Sequence, residues 1–487
     1  MLLKRLINKL KIINEIEDGT LEQTVRGIAE NSRKVQPGFV FVAISGYGND
    51  GHDYIEHAIE NGASFVIGEA KNLELPVPYI QVDDSRKALG LLAKNFYHNP
   101  SNAKLMIGIT GTNGKTTTSY LLKQIFESTG KSCAIIGTIQ NIVNGTVIKS
   151  ANTTPNSLVA HQLLAESRDD VVIMEVSSHG LTQNRIEGLE FDYCLFTNLH
   201  HEHLDYHDSL SDYFQAKSRL FGHLKPTGTA IVSTDTIWGS QLVDLLQARG
   251  VRTYAVGESK TNGAGRLAFD VKNSMIQLNE EGTEITIPSP LAGMHNMLNT
   301  LLAYSTSRIA GLPPESIVDA LHQFKGVAGR FETFKIPNGA TIVIDYAHTP
   351  DALLHVLTTA KQLAAKRIVH IFGFRGNRDL SKRKEMLLVS SELSDQYILT
   401  LDDLNSVALT DMVHNLDSLN DQFGNEKGLI VSDRTLAIKL AMEHSRSGDF
   451  IIITGKGHET FQQSYHLPTK SDQETVDYVL NSQVVAR

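Results

Sequence analysis

Cysteine is almost absent. Cys133 and Cys194 are the only two in 487 residues, which excludes both a disulfide framework and a cysteine-rich zinc site. No basic block stands out and the formal net charge is −9, so a nucleic-acid partner is not expected. No apolar run approaches the roughly 18–20 residues needed to cross a bilayer, so no membrane partner is expected either. The opening stretch MLLKRLINKLKIINEI places lysines between apolar residues at helical spacing. It has neither the uninterrupted apolar segment nor the small-residue cleavage site of a signal peptide. These absences fit a reducing cytoplasm. What is present is an ordinary globular composition, 41% hydrophobic and 20% charged, which argues against disorder. The length is enough for about two to four domains.

The chain reads as three α/β domains, residues 1–100, 101–330 and 331–487. The first alternates short apolar runs (GFVFVAI, ASFVIG) with helical patterns such as GHDYIEHAIENG, and ends in the polar stretch FYHNPSNAK. The second begins at LMIGIT and continues through VVIMEV, YCLFTNL, TAIVST and VRTYAV, most of them separated by helical patterns. Nearly continuous apolar strands alternating with helices predict a parallel sheet covered on both faces. The pattern breaks at GVAGR, residues 326–330. TIVIDY, RIVHIFGF, QYILTL, GLIVSD and FIIITG then predict a second, separate sheet.

The chemistry starts at Gly108–Thr116, G-I-T-G-T-N-G-K-T. The spacing is one residue longer than the common G-x₄-G-K-[ST] form, but a strand precedes it and a helical pattern follows. Gly111, Thr112, Asn113 and Gly114 would present backbone N–H groups to an anion, helped by the dipole of the following helix. Lys115 would neutralise the β- and γ-phosphates of a nucleoside triphosphate, and the Thr116 hydroxyl would ligate Mg²⁺, with Thr117 beside it. The alternative is an ordinary glycine-rich turn. A second oxygen ligand is offered by Glu175 at the carboxyl end of VVIMEV, where ligands gather in open parallel sheets. Alone, it could equally be a helix cap or a surface charge. His200, His201, His203 and His207 share one loop, but without cysteine or an H-E-x-x-H helix they do not make a zinc signature. His203 aimed at the phosphate cleft is the simpler reading. Lys217, in SDYFQAKSRLF, has the spacing of a solvated helix lysine.

Eight stretches then converge: GTNGKTTT, MEVSSHGL, NLHHEHLDYH, YFQAKSRLF, GMHNMLN, GRFE, DYAHTPDAL and GKGHE. Their order resembles the Mur ligases, most nearly the type that adds an amino acid to a UDP-N-acetylmuramoyl-dipeptide. NSRKVQPGFVFVAISGYGNDGHDYIEHAIENGA resembles the UDP-binding domain of that type. The resemblance implies a small UDP-binding domain, a central P-loop ATPase domain and a Rossmann-like C-terminal domain. It implies ATP and two Mg²⁺ ions, with Thr116 and Glu175 on one ion and His203 on the other. Lys217 matches the family's N6-carboxylated lysine, which would bridge the metals, so Lys115, Lys217 and His203 form the implied catalytic set. His295, Asn296, Arg330, Asp345 and His348 would contact the nucleotide. Asn152, Thr153, Thr154, Ser177, Gln183 and Arg185 would hold the muramoyl-peptide, and Ser32, Tyr47, Gly48 and Asn49 the uridine diphosphate. Gly455 and Glu459 match positions near the incoming amino acid. The implied enzyme is a monomeric cytoplasmic ATP-dependent ligase of peptidoglycan precursor synthesis.

Three stretches depart from the family pattern. FGFRGNRD stands where Cys-Gly-Gly-Asp usually precedes Arg-Asp, so Arg378 keeps a family position while Arg375 has no counterpart. HHEHLD carries Glu202 for an aspartate. TLDDLNSV replaces the Asp-Asn-Pro-Arg of diaminopimelate-adding members with Asp402-Asp403-Leu404-Asn405, which removes the arginine. An aspartate pair facing a side-chain ammonium predicts L-lysine as the added amino acid. The alternatives are diaminopimelate, or a paralogue joining a different amino acid outside the main cell-wall pathway. If Arg375 reached the amino-acid pocket, the argument for lysine would reverse. Two other classes compete: a folylpolyglutamate synthase, which lacks the N-terminal domain, and a P-loop switch protein, which would not need Lys217.

Overall fold

The structure is a computed structural model that describes residues 1–46, 48–71, 73–257, 264–270, 273–280, 282–377 and 379–485. The first sheet holds β1 (Gly27–Ala29), β2 (Phe39–Val42), β3 (Ala63–Gly68) and β4 (Tyr79–Gln81), all parallel and in chain order. The helix Ser85–Phe96 packs on it through Ala88, Leu89 and Leu92. It starts cleanly because the Asp84 side chain accepts from the Lys87 N–H, satisfying one of the free donors of its first turn.

The second sheet holds β5 (Leu105–Thr110), β6 (Cys133–Ile136), β7 (Gln140–Val143), β8 (Thr146–Lys149), β9 (Val171–Glu175), β10 (Phe191–Phe196), β11 (Leu224–Ser233) and β12 (Thr253–Val256). Their order is β12-β11-β10-β5-β9-β6-β7-β8. The strands expected from the apolar runs are its parallel centre, with fully buried residues such as Ile107, Ile173 and Leu195 on one face and Met106, Val172 and Cys194 on the other. The chain leaves β5 toward β6, returns through β9 and crosses to β10. The carboxyl ends of β5, β9 and β10 therefore flank the switch in direction, where open α/β sheets bind ligands. The antiparallel β6–β7–β8 extension was not read from sequence. Neither was a small antiparallel sheet of β13 (Ala264–Asp270), β14 (Met275–Glu280) and β15 (Thr283–Pro288).

The third sheet holds β16 (Glu332–Lys335), β17 (Thr341–Asp345), β18 (Arg367–Phe374), β19 (Gln396–Leu401), β20 (Gly428–Ile430) and β21 (Asp449–Thr454), ordered β16-β17-β21-β18-β19-β20. Five strands are the parallel set that the apolar runs predict, and β16 adds an antiparallel edge. Two clusters cover its faces, one around Leu357, Phe372 and Leu399, the other around Ile344, Ile371 and Ile453. Among the described residues no helix is long and apolar enough to cross a membrane.

Candidate active site

The phosphate loop follows β5 as expected and is held from the side by the end of β10. The Asn198 carbonyl accepts from the Thr112 N–H (3.0 Å) and its side-chain oxygen from the Asn113 N–H (2.9 Å). Gly111 has φ +148°, and a Cβ there would lie 1.8 Å from Thr197 Oγ1. Gly114 caps the helix Lys115–Ser128 in the left-handed region, where a Cβ would meet Asn299 Oδ1 at 2.2 Å. Both positions need glycine. Lys115 Nζ donates to Gly111 O (2.8 Å) and Thr112 O (2.9 Å), curled over its own loop. Burial lowers its pKa, against the pull of Glu175 and Glu202.

Glu175 ends β9 next to β5, in register with Ile109. It is fully buried and accepts from Thr116 Oγ1 (2.9 Å), Thr138 Oγ1 (2.8 Å) and the Thr138 N–H (3.2 Å). A loop hydroxyl and a carboxylate thus converge beside the phosphate position, a donor set suited to Mg²⁺, which takes few protein oxygens and completes its shell with phosphate and water. Among the described residues, no three His, Cys, Asp or Glu side chains form a ready cage.

Lys217 lies in the helix Leu210–Ser218 and is 1% exposed, contrary to the solvated reading that its spacing gives. Its Nζ donates to Gly111 O (2.8 Å) and sits 4.4 Å from the centre of the Tyr213 ring. Burial, reinforced by Lys115, pushes its pKa well below the usual lysine value. A buried amine with a single carbonyl acceptor, whose environment favours its uncharged form, fits the lysine that the family carboxylates with CO₂. His203 stands nearby in the left-handed region (φ +57°), its ring edge-on to His179 at 5.0 Å. Burial pushes its pKa down to about 4.

The third domain and the segment leading into it border the cleft. Arg330 Nη2 reaches Thr116 Oγ1 at 3.4 Å, and Asp351 pairs with His200 (3.2 Å) and Asn113 (3.4 Å) across the domain boundary. Glu202 meets His348 Nε2 at 3.0 Å and His203 at 3.8 Å. Burial alone would raise Glu202, yet the two histidines outweigh it and hold the carboxyl below its usual range. Asp345 accepts from the Phe331 N–H (2.6 Å) and the Ala347 N–H (2.7 Å), fixing the two separate segments that carry Arg330 and His348. The cleft, about 250 Å³, is lined by Thr112–Thr117, Thr153, Ser177, His203, His295, Asn296, Arg330, Asp345 and His348 among others. Buried and, among the described residues, without a hydrogen-bond partner, His295 Nδ1 and Arg330 Nε are polar atoms that a bound nucleotide could satisfy.

The remaining expected residues fall in three places. Thr154 Oγ1 bonds Glu175 O and Ser177 caps its helix, while Arg185 donates to Thr154 O (2.8 Å) and to Gln183. These form one bonded group beside the cleft, and Asn152 is exposed next to it. In the first domain, Ser32 Oγ is hydrogen-bonded to His57 (2.9 Å) at the start of a short 3₁₀ turn, and Gly48 and Asn49 lie in an exposed loop. Tyr47 and Arg378 lie outside the described residues.

A second cavity of about 170 Å³ opens on the C-terminal side and shares Glu202, His203, Tyr346 and His348 with the first. Here the expectation of an aspartate pair open to a substrate ammonium is corrected. Asp403 is bonded to Lys456 Nζ at 2.6 Å, and Asp402 lies 3.6 Å from Arg375 Nε and 3.7 Å from Lys456. Arg375 reaches the pocket and also pairs with Glu459. Asn405 is turned away, donating to Gly376 O at 2.9 Å. Sequence reasoning missed Lys456 although it lies inside GKGHE, and it missed Asn198 inside NLHHEH. It saw Glu202 as a departure from pattern and not as the carboxylate that ties two domains together.

A phosphate loop at a sheet switch point, a second domain lowered onto it and an adjoining cavity across a shared wall define a multidomain P-loop enzyme that couples a nucleotide to a second substrate. Family models match in three parts. They are the Mur ligase family, catalytic domain, over residues 24–97; the Mur ligase middle domain over 109–306; and the Mur ligase, glutamate ligase domain over 329–457. The UDP-N-acetylmuramoyl-L-alanyl-D-glutamate--2,6-diaminopimelate ligase of Syntrophomonas wolfei subsp. wolfei is 36% identical over 471 residues, 95% of each chain. A ligase of the same name from Parabacteroides distasonis is 37% identical over 452 residues, 90% of this chain and 91% of its own. A solved structure, again under that ligase name, superposes with a TM-score of 0.70 at 27% identity and covers 99% of both chains. The chain belongs to the Mur ligase family.

Proposed function

We propose that this chain, an ATP-dependent amide ligase, adds the third amino acid to UDP-N-acetylmuramoyl-L-alanyl-D-glutamate in peptidoglycan precursor synthesis. The observation that carries this reading is the wall shared by the two cavities: a phosphoryl donor bound in one and an amine bound in the other would meet at Glu202, His203, Tyr346 and His348. A carboxylate acylates poorly because oxide is a poor leaving group. Transfer of the γ-phosphoryl to a carboxylate oxygen gives an acyl phosphate and ADP. The amine nitrogen then forms the C–N bond, loses a proton and expels phosphate.

Each group has a part in this. Lys115 would move from its loop carbonyls to the phosphates, and Arg330 would approach them from the segment that joins the second domain to the third. Thr116 and Glu175 would hold one Mg²⁺, His203 and carboxylated Lys217 the second. When bound, the ions would offset the charge of two anions brought together. Thr153, Ser177 and Arg185 border the side from which the acceptor peptide would enter, with the first domain holding its uridine diphosphate. Closure of the third domain keeps water away from the acyl phosphate. The complete site within one chain supports a monomer, and its ATP requirement supports a cytoplasmic enzyme.

The test is ADP release by the purified protein with ATP, Mg²⁺, the UDP-dipeptide and single amino acids. Release that requires both the acceptor and an amino acid is expected. Release indifferent to the acceptor would overturn the reading.

A further inference from the structure

The amino-acid side of the site carries its own cation, an inference that rests on the ligase reading above. Arg375 follows the end of β18. Its Nη2 donates to Gly455 O at 3.2 Å and to Glu459, and its Nε faces Asp402 at 3.6 Å. One carbonyl and two carboxylates around a single cation is the set of acceptors that a substrate ammonium would seek. Tyr346 donates to the other oxygen of Glu459 (3.1 Å), and Lys456 holds Asp403, so the carboxylates of this wall are matched from within.

The placement is also fixed. The Arg375 carbonyl accepts from Arg383 Nη2 (2.9 Å), and the next residue, Gly376, donates its N–H to Asp403 O (2.9 Å). A Cβ on Gly376 would lie 1.9 Å from Leu404 O, so this loop and the one bearing the aspartates are in close backbone contact. Lys382 lines the same cavity and, among the described residues, has no hydrogen bond or ion pair. It is free to take the α-carboxylate that every amino acid brings.

We infer that Arg375 occupies the place of a side-chain ammonium, and that this enzyme selects an amino acid whose side chain carries no distal amine. A diamino acid would have to displace a guanidinium already bonded on two sides, whereas a neutral side chain packs against it. Arg375 is thus a specificity-determining residue, and its removal takes one of two cations away from Glu459 and Asp402, leaving Lys456 at 3.8 and 3.7 Å and room for an incoming ammonium.

The experiment measures acyl-phosphate formation from ATP and the UDP-dipeptide first, by borohydride trapping, for the wild type, Arg375→Gly and Arg375→Met. It then compares kcat/KM for L-alanine, L-serine and L-homoserine with that for L-lysine, L-ornithine and meso-diaminopimelate. The wild type should favour the best neutral amino acid at least tenfold, and a variant that traps acyl phosphate should raise kcat/KM for L-lysine at least tenfold. A wild type that traps acyl phosphate yet prefers a diamino acid overturns this inference alone. So does a trapping-competent variant with no gain for L-lysine. A wild type that traps nothing overturns the ligase reading itself. If neither variant traps, the wild-type ranking decides.

Discussion

Replacing Lys217 by alanine separates what this residue does for the fold from what it does for the reaction. The side chain is buried and packs along the Tyr213 ring. Truncation removes three methylenes at about 0.8 kcal/mol each and one hydrogen bond to Gly111 O, together about 3 kcal/mol. It also removes a buried amine whose desolvation opposes folding, a relief of about 1–3 kcal/mol. The net loss should be about 0–2 kcal/mol, which lowers the melting temperature of a domain this size by at most roughly 8 °C. The effect on turnover should be of another order. Loss of the carboxylate proposed on Lys217 should cost at least about 10²–10³ in rate. ADP release with both substrates, set beside a thermal melt of the same preparation, reads the two effects separately. Partial rescue of Lys217→Ala by short carboxylic acids would identify the missing group as a carboxylate. Turnover within tenfold of wild type would refute the assignment. So would inactivity accompanied by a collapse of the melting transition, which would make the lysine a structural part only.

Glu175→Gln and Lys115→Ala should each lower turnover by about 10²–10³; an unchanged Mg²⁺ dependence in the glutamine variant would show that Glu175 holds no metal. Gly111→Ala should fold but bind a fluorescent ATP analogue far more weakly, because its Cβ meets Thr197 Oγ1 at 1.8 Å; wild-type affinity would contradict the loop geometry. His370 is buried between Ser390 and Thr454, and burial pushes its pKa down to about 3 from 6.5. Between those values the unfolded chain binds a proton that the folded one refuses, so stability is lost as pH falls below about 6.5. The urea-measured stability gap between wild type and His370→Gln should therefore shrink by about 2 kcal/mol from pH 7.5 to pH 5, and a constant gap would rule out a neutral buried imidazole.

The parallel strands were legible because both of their faces are buried, which leaves continuous apolar runs in sequence. Hairpins such as β14–β15, with one polar face, alternate like loops and were missed. Thr116 and Glu175 were legible as candidates because one lies in the first turn of the helix after a glycine-rich loop and the other ends a strand, places that sequence marks. Lys217 could not be promoted by spacing, since nothing local shows that its helix face is turned to Gly111 O, 106 residues earlier. The aspartates misled for a similar reason. A carboxylate's sequence is visible, but the cation that answers it, Lys456 for Asp403, lies 53 residues away.

The two lysines of the phosphate site share an acceptor: Gly111 O receives both Lys115 and Lys217. Lys115 is thus held by carbonyls of the loop it serves, so turning it to a phosphate is an exchange of partners. The measured affinity is then a difference between two sets of bonds. When Lys115 swings to a phosphate, the carbonyl it leaves is still held by Lys217, so the loop keeps its shape while its charge is handed over. The second lysine acts as the fixed end of that exchange.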